Sequence, residues 1–511
     1  MKIRTYLLIV LLTTMLVFPS SIVKGAIVTD AIPKPINVTN TPGTWYLGAL
    51  PDNVNMNKSP LVFVQGLHGN AKDWWEETVY YGENDMYNYA YTNGYRTAFV
   101  QLEDATGGDA ADMWHNGQML ASMLEEIYNY FGEQVTIIAH SKGGVDSQTA
   151  LVHFGAWPYV NDVITLSSPH YGSPLADLAY SSWANWLADL IGRTDEGTYV
   201  MQTGEMEKFR LITDENESAY KNNYYTASGT GWGPFFSALW FGGAYIGGDN
   251  DGLVPVWSSK LPYGTHFFSG GDDIDHDNIR MGNSSFDRIA TLLNDTSAHT
   301  SANWFTAASS DSQYVPEQLL RGGSLSTNQL VEELIPVESD NNRVVFQILT
   351  ASEDVNVKLI SPKGKEYTKK SKQYIQSEGE NYFKNTYIQT FTIDQPGAGE
   401  WQIDLNSSND DAYFIVTNFQ GSNALNLGWG ELEKEVKNKD KKDKKDKKLK
   451  IDKKVKKNKS KQKKPRDISN EILDIIQADT YNVTYEIVGT TENGETFYRT
   501  AVKSYYQYDE N

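Results

Sequence analysis

The sequence predicts an α/β domain built on a parallel sheet, followed by an all-β sandwich domain. Two observations predict the first domain: short apolar strands alternate with amphipathic helices, and one serine lies where a buried strand turns into a helix. A third predicts the sandwich, because short apolar stretches beyond residue 340 are separated by turn sequences. A chain of 511 residues is long enough for two or three domains.

Strands and helices alternate in the first part of the chain. Apolar stretches at 61–64, 95–102 and 160–166 have the length and composition of buried strands. Between them, residues 113–131 repeat apolar side chains at helical spacing, and Gly132 provides a helix stop. This alternation is typical of a parallel sheet that is covered by helices on both faces.

The serine at the strand–helix junction is Ser141, within Val135–Gly144. The stretch fits the nucleophile-turn motif Gly-x-Ser-x-Gly, with Ala139 in place of the first glycine and Gly143 as the second. The turn needs small residues at both positions because its backbone is strained. A serine that only caps the following helix would show the same local pattern, so the interpretation depends on partner residues.

A nucleophilic serine needs a base and an acid that orients the base. On this architecture the acid and then the histidine follow the serine along the chain. Asn250-Asp251-Gly252 is a turn sequence, which makes Asp251 the first candidate for the acid and Asp249 the second. An ordinary Asp-Gly turn is the simpler interpretation of the same residues.

Three histidines follow Asp251, at positions 266, 276 and 299. His276 lies on a loop directly before a helix-like stretch, from which it can reach the end of the sheet. His266 falls in an apparent strand or turn, and His299 falls in a polar segment. We expect His276 to be the base, whereas a surface histidine without a catalytic role is the alternative for any one of the three.

Two backbone N–H groups should stabilise the oxyanion of such a site. One belongs to the residue after the serine, Lys142. The other belongs to the loop after the first buried strand, where Gln65-Gly66-Leu67 fits and Leu67 is the donor. A backbone donor has no side-chain signature, so this prediction depends on position alone.

Taken together, these motifs resemble the bacterial secreted lipases and esterases of the α/β-hydrolase fold, in the variant that has Ala-x-Ser-x-Gly. The resemblance covers about residues 60–300 and implies the fold and the serine–aspartate–histidine triad. Two residues depart from the family pattern: Gln65, where a histidine is usual, and Lys142, an unusually polar neighbour of the nucleophile. The motifs that carry the resemblance are residues 62–69, 139–144, 166–174 and 250–255 and the loop around His276.

Aromatic and aliphatic residues recur in an insertion between Ser168 and Asp251. By the resemblance, this insertion is a mobile lid or an acyl-binding wall, and packing in the core is an equal alternative. Either arrangement favours an ester with a hydrophobic acyl part. The residues concerned are Tyr180, Trp183, Trp186, Leu187, Leu190, Ile191, Trp232, Phe235, Phe236, Trp240 and Phe241.

Related lipases carry structural calcium, and several aspartates near His276 offer the oxygen ligands that calcium prefers. Their spacing defines no ligand set, so we assign no metal and no other cofactor and interpret the segment as a solvated acidic loop. The aspartates are Asp249, Asp272, Asp273, Asp275 and Asp277.

The N-terminus has the pattern of a secretory signal. Met1-Lys2-Ile3-Arg4 precedes an apolar run from Tyr6 to Phe18 that is too short for a comfortable membrane span, and we expect cleavage after Gly25. The predicted location is therefore extracellular, with cell-wall association as an extension of it. The chain has no cysteine, which excludes disulfides, a cysteine nucleophile and a thiolate metal site.

A lysine-rich segment gives the C-terminal half an unusual charge distribution. Residues 433–466 carry a net charge of +13 inside a chain of net charge −20. We expect this ribbon to be disordered or a frayed helix, and it is either a solvated spacer or an attachment to an anionic cell-wall polymer or membrane headgroups. The acidic remainder argues against a nucleic-acid-binding protein.

The domain limits follow from these patterns. After the ribbon, two β-prone stretches flank Glu492-Asn-Gly494 and predict a hairpin, which is not stable alone and so adds to the sandwich. The predicted segments are a signal peptide at 1–25, the α/β domain at 30–300, a linker at 301–340, the sandwich at 341–432, the ribbon at 433–467 and the hairpin at 468–511.

The function predicted from the sequence is a secreted serine carboxylester hydrolase, acting on triacylglycerols or other hydrophobic acyl esters through an acyl-enzyme. A polyester depolymerase and an acyltransferase are alternatives within the same fold. A third alternative is a catalytically silent protein that binds the cell envelope. For the hydrolase, the depolymerase and the acyltransferase, the partner is a hydrophobic ester or a lipid interface.

Overall fold

The computed structural model describes residues 32–182, 195–235, 237–294, 315–379, 386–421, 424–438, 449–458 and 474–507. The predicted signal peptide, His299 and part of the aromatic insertion lie outside these residues. Within the described ranges, no helix combines the length and the apolar character that crossing a membrane requires.

A single sheet organises the first half of the chain. Among the described residues, seven strands form it in the order β1-β3-β2-β4-β5-β6-β7, and all neighbours are parallel except the β1–β3 pair. The strands are β1 Thr44–Leu47, β2 Leu61–Val64, β3 Thr97–Gln101, β4 Val135–His140, β5 Val160–Leu166, β6 Asn223–Ser228 and β7 Thr265–Ser269.

Helices cover both faces of this sheet, because the central strands are apolar on both sides. One buried cluster contains Phe63, Phe99 and Ile138, and another on the opposite face contains Val62, Val100 and Ile137. The predicted α/β architecture is confirmed. The helices of this half are α1 Met86–Thr92, α2 Met113–Phe131, α3 Lys142–His153, α4 Pro174–Ala179, α5 Glu196–Val200, α6 Thr203–Asp214, α7 Ala238–Ile246 and α8 Gly282–Asn294.

The second half forms the predicted antiparallel sandwich, which begins earlier than expected. Strands β8 Gln318–Leu325 and β9 Val331–Val337 lie in the predicted linker, so that interpretation is wrong for these residues. They pair with β16 and β15 respectively. The other strands are β10 Arg343–Thr350, β11 Asn356–Ile360, β12 Glu366–Tyr367, β13 Tyr374–Glu378, β14 Tyr387–Asp394, β15 Gly399–Asn406 and β16 Asp411–Gln420.

A third sheet contains part of the lysine-rich ribbon. After helix α9 (Trp429–Asn438), strand β17 (Leu449–Asn458) pairs with β18 (Thr480–Thr490), which pairs with β19 (Thr496–Tyr506). The expectation of disorder is therefore wrong for β17, and the hairpin joins this separate sheet rather than the sandwich. A strand of lysines is possible at this position because β17 has one neighbour among the described strands, and most of its side chains are exposed.

The two halves share a buried apolar contact. Leu239, Phe241 and Leu253 of the first half pack in one cluster with Ile388 and Phe414 of the sandwich. Polar contacts extend the contact to the third sheet: Asn482 donates to the Asp177 carbonyl at 2.8 Å, and Lys208 donates to the Ala478 carbonyl at 2.8 Å. The C-terminal half is thus docked on the first domain through both apolar and polar groups.

A buried ion pair fastens the third sheet to the sandwich, which yields a stability prediction. The Arg499 guanidinium is fully buried and donates to both oxygens of Glu338 at 3.0 Å. Arg499→Met would leave this carboxylate buried without its partner, and we expect a loss of about 3–5 kcal/mol in the free energy of unfolding, measured by urea denaturation. The exposed pair between Arg343 and Asp394 is the control, and Arg343→Met should cost less than about 1 kcal/mol. Equal losses in the two variants would contradict the prediction.

Candidate active site

Ser141 lies on a strained turn between β4 and α3. Its backbone has φ 52° and ψ −132°. A positive φ is strained for any residue that has a side chain. The two positions that follow Lys142 must be glycines, because a side chain at either would collide with neighbouring atoms. A Cβ at Gly143 would lie 2.3 Å from the Gln65 carbonyl oxygen, and one at Gly144 would lie 2.1 Å from Ser168 Oγ. The geometry is therefore that of a nucleophile turn and differs from an ordinary helix cap, since the Ser141 side chain makes no cap hydrogen bond.

The structure brings the three predicted triad residues together. His276 Nε2 lies 3.0 Å from Ser141 Oγ, and His276 Nδ1 lies 2.8 Å from Asp251 Oδ2. Asp251 is fully buried, and its second oxygen accepts the backbone N–H groups of Leu253 and Val254 at 3.0 and 2.7 Å. With Nδ1 donating to the carboxylate, Nε2 is the acceptor that faces the serine hydroxyl.

A fourth residue, His140, holds the His276 loop and was not singled out from the sequence. Its Nε2–H donates to the His276 carbonyl oxygen at 2.8 Å. Burial holds the pKa of His140 well below its usual value, with His276 adding to the effect, so this imidazole is a neutral donor. The only signal in the sequence was its position directly before Ser141.

The alternative candidates lie elsewhere or outside the described residues. His266 is on β7, where its ring nitrogens lie 2.9 Å from Thr226 Oγ1 and 2.8 Å from Ser269 Oγ. Asp249 is exposed, and its backbone carbonyl accepts from the Val256 N–H at 2.9 Å. His299 is not among the described residues.

The acidic loop around His276 is organised differently from the prediction. Asp275 and Asp277 are buried, so the solvated interpretation is wrong for them. Asp275 Oδ1 accepts two backbone N–H groups of its own loop, and Asp277 Oδ1 accepts from Arg280 Nη2 at 2.7 Å. Among the described residues, no group of three or more histidine and acidic side chains has the arrangement of a metal site.

The predicted oxyanion loop packs directly against the nucleophile turn. A Cβ at Gly66 would lie 2.9 Å from Ser141 Cβ, so only glycine allows this approach. Leu67 and His68 follow, and both line the same cavity as Ser141. His68 has φ 57°, a conformation that costs energy for a residue with a side chain. The loop is thus in place to offer a backbone donor beside the serine.

Lys142, the unusual neighbour of the serine, turns its side chain into the protein and is fully buried. Its Nζ donates to both oxygens of Asp146 at 3.0 Å and lies 3.7 Å from Asp104 Oδ2. Burial lowers the pKa of Lys142, but Asp104 and Asp146 outweigh it and raise the pKa above its usual value, so the ammonium stays charged. Burial raises the pKa of Asp146 to about 7, against the opposing effect of Lys142.

The cavity that contains Ser141 and His276 has a volume of about 690 Å³ and is lined partly by the C-terminal half. Glu378, at the end of β13, and Tyr387, at the start of β14, are among its lining residues. Residues 380–385 between them lie outside the described ranges. The paired strands β13 and β14, called the β13–β14 hairpin below, therefore contribute one wall of the site through residues 378, 379, 386 and 387.

The structure describes only part of the aromatic insertion between Ser168 and Asp251. Trp183 to Ile191 lie outside the described residues, as does Phe236. Trp240 and Phe241 are on α7 and are buried, and the Trp232 ring is so close to Gly243 that a Cβ there would lie 2.3 Å from it. For Trp240 and Phe241 core packing, the alternative interpretation, describes the structure, whereas Trp232 is half-buried and Phe235 is exposed.

Family models match both halves of the chain. A PGAP1-like α/β domain matches residues 55–185, and a proprotein convertase P-domain matches residues 344–420. No curated protein matched the sequence.

Solved structures similar to this chain include a Bacillus licheniformis lipase, BlEst2, in two forms. The propeptide form is 33% identical, covers 92% of this chain and 98% of its own, and superposes with a TM-score of 0.74. The mature form is 45% identical, covers 50% of this chain and 99% of its own, and has a TM-score of 0.45.

Proposed function

The chain belongs to the bacterial lipase and esterase family of the α/β-hydrolase fold and is a carboxylic ester hydrolase, and we propose that Ser141, His276 and Asp251 are its catalytic triad. The observation that carries this proposal is the continuous contact from Asp251 through His276 to the Ser141 hydroxyl, at 2.8 and 3.0 Å. The strained turn under Ser141 supports the same assignment.

In the proposed mechanism, Ser141 Oγ attacks the ester carbonyl while His276 Nε2 takes the hydroxyl proton. Asp251 keeps the imidazole oriented and stabilises its cation. The backbone N–H groups of Leu67 and Lys142 hold the oxyanion. The proton then passes to the leaving alcohol, and water activated by the same histidine releases the acid from Ser141.

We propose that the substrate is an ester with a hydrophobic acyl part, such as a triacylglycerol. Apolar side chains of Leu67, Val79, Leu239 and Leu253 line the cavity beside the triad and support this class. A polyester chain would use the same apolar wall, so rates on soluble acyl esters and on an insoluble polyester separate the two substrates.

We further propose that the C-terminal half is a propeptide that restrains the enzyme until it is removed. The name of the Bacillus licheniformis relative, a lipase in propeptide form, supports this role because that structure covers 92% of the chain. The hairpin wall formed by Glu378 and Tyr387 also supports it, since both residues line the same cavity as Ser141 and His276.

The location of the protein is a separate proposal. The charged and apolar N-terminal pattern supports export from the cell. The exposed lysines of β17 support contact with an anionic cell-wall polymer, because their charges face solvent on the outer strand of the third sheet.

Covalent labelling tests the proposed triad. Diisopropyl fluorophosphate should add one diisopropylphosphoryl group, and peptide mapping by mass spectrometry should place it on Ser141. The protein should be labelled before and after limited proteolysis, so that the hairpin wall does not hide a reactive serine. Labelling should disappear in His276→Ala, because the serine loses its base. An adduct on a different serine, or no adduct in either preparation, would contradict the triad.

A further inference from the structure

We infer that Asp104 is a positioning residue: it couples the buried Lys142 ammonium to the oxyanion loop and so sets the separation of the two oxyanion donors. This inference rests on the proposed function, because it concerns the site that Ser141 defines. It assigns a catalytic consequence to Lys142, the charged residue directly after the nucleophile.

The coupling begins in a closed buried cluster. Lys142 and Asp146 belong to α3, Asn116 belongs to α2, and Asp104 lies in the short helical turn after β3. Asn116 Nδ2 donates to Asp104 Oδ2 at 2.6 Å and to Asp146 Oδ2 at 3.1 Å. All four side chains are almost fully buried. A charge cluster in such surroundings is held tightly, since breaking any one contact leaves a buried charge uncompensated.

One contact leaves the cluster and reaches the oxyanion loop. The backbone N–H of His68 donates to Asp104 Oδ1 at 3.3 Å, while Asp104 Oδ2 faces Asn116 and Lys142. His68 directly follows Leu67, so this bond fixes the peptide next to one proposed donor. The backbone N–H of Lys142 is the other proposed donor. The same lysine therefore provides one donor with its backbone and restrains the second through Asp104.

The strained conformation of the loop explains why a restraint on it matters. His68 adopts a left-handed backbone, which persists only where neighbouring contacts enforce it. The Asp104 carboxylate holds its N–H, and Asp195 lies 3.2 Å from its ring Nε2. Donors that are fixed before the reaction stabilise the developing oxyanion without reorganisation, and small displacements of such groups are costly in rate.

The cluster offers a matched pair of isosteric variants, Asp104→Asn and Asp146→Asn. Every neighbour that bonds to either carboxylate is a donor, so each amide must place its NH₂ against another donor. The two variants thus disturb the same cluster to a similar degree. They differ in one respect: of the two carboxylates, Asp104 contacts the His68 N–H.

The test compares the two variants in ester hydrolysis and in binding of a trifluoromethyl ketone, which forms an oxyanion on the serine. For Asp104→Asn we expect kcat to fall by about 10- to 100-fold with KM within about twofold, and the inhibition constant to rise by a similar factor. For Asp146→Asn we expect a comparable fall in melting temperature but a smaller fall in kcat than for Asp104→Asn, because the bond from the His68 N–H to Asp104 is retained.

Three outcomes would overturn the inference: unchanged kcat in Asp104→Asn, equal losses of kcat in both variants, or a loss of kcat without weaker ketone binding. If Asp104→Asn does not fold, Asn116→Ala removes the 2.6 Å bond to Asp104 and should lower kcat and ketone affinity together by a smaller factor. A wild-type enzyme that shows no hydrolysis at Ser141 would refute the proposed function itself, whereas an active wild type with equal losses in the variants refutes only the positioning role.

Discussion

Ser141→Ala is expected to lower kcat for ester hydrolysis by about four to six orders of magnitude, because it removes the attacking oxygen. His276→Ala should cause a similar loss, since the hydroxyl then lacks the base that lies 3.0 Å from it. The double variant should be no worse than either single one, because the three groups act as a unit. Initial rates on a chromogenic acyl ester, measured on purified protein with its fold checked by circular dichroism, provide the readout.

Ser147→Ala is a matched control for the serine substitution. Ser147 is also buried on α3, but its hydroxyl donates to the Gly143 carbonyl at 2.7 Å. Its loss should reduce stability by about 1 kcal/mol and leave kcat within about threefold. Equal rates in Ser141→Ala and wild type would refute the triad and favour a catalytically silent scaffold. Additive losses in the double variant would show that the two residues do not act together.

The triad could be predicted from the sequence because two local signals and one order rule define it. The turn motif around Ser141 reflects steric limits within a few residues, and the chain order of acid and base restricts the remaining choices. The same reasoning could not reveal the role of Asp104 or Asn116. Asp104 meets Lys142, and Asn116 meets Asp104 and Asp146, only in the folded chain, and nothing in their local sequence signals a shared cluster.

The errors in the C-terminal half also have a physical cause. Strands β8 and β9 lie in a segment whose polar composition, with Ser-Ser-Asp-Ser and Arg-Gly-Gly-Ser, predicts a linker. Their partners, β16 and β15, supply the pairing that their own sequences do not indicate. The lysine strand β17 is stabilised in the same way by β18, which lies more than twenty residues further along the chain.

Removal of the C-terminal half is expected to raise activity on long-chain esters by about tenfold or more, because the β13–β14 hairpin then no longer lines the catalytic cavity. An engineered protease site between Asn294 and Val315 would allow this to be measured on one preparation. Cleavage alone should have little effect. The apolar contact that joins Leu239 and Phe241 to Ile388 and Phe414 should keep the two pieces associated until the C-terminal piece is digested or separated.

Substrate size distinguishes a blocked entrance from a distorted triad. A hairpin that restricts access should suppress hydrolysis of a long acyl ester far more than that of an acetate ester, whereas a distorted triad would suppress both alike. Replacing residues 379–386 by a short glycine–serine turn in the full chain should therefore raise the rate on the long ester without any cleavage.

The cleaved Ser141→Ala protein, which should stay inactive, excludes a contaminating esterase. Equal activity before and after separation of the two pieces would show that the C-terminal half does not restrain the enzyme. A gain after separation without one in the hairpin variant would assign the restraint to the rest of the docked contact, where Asn482 and Lys208 lie.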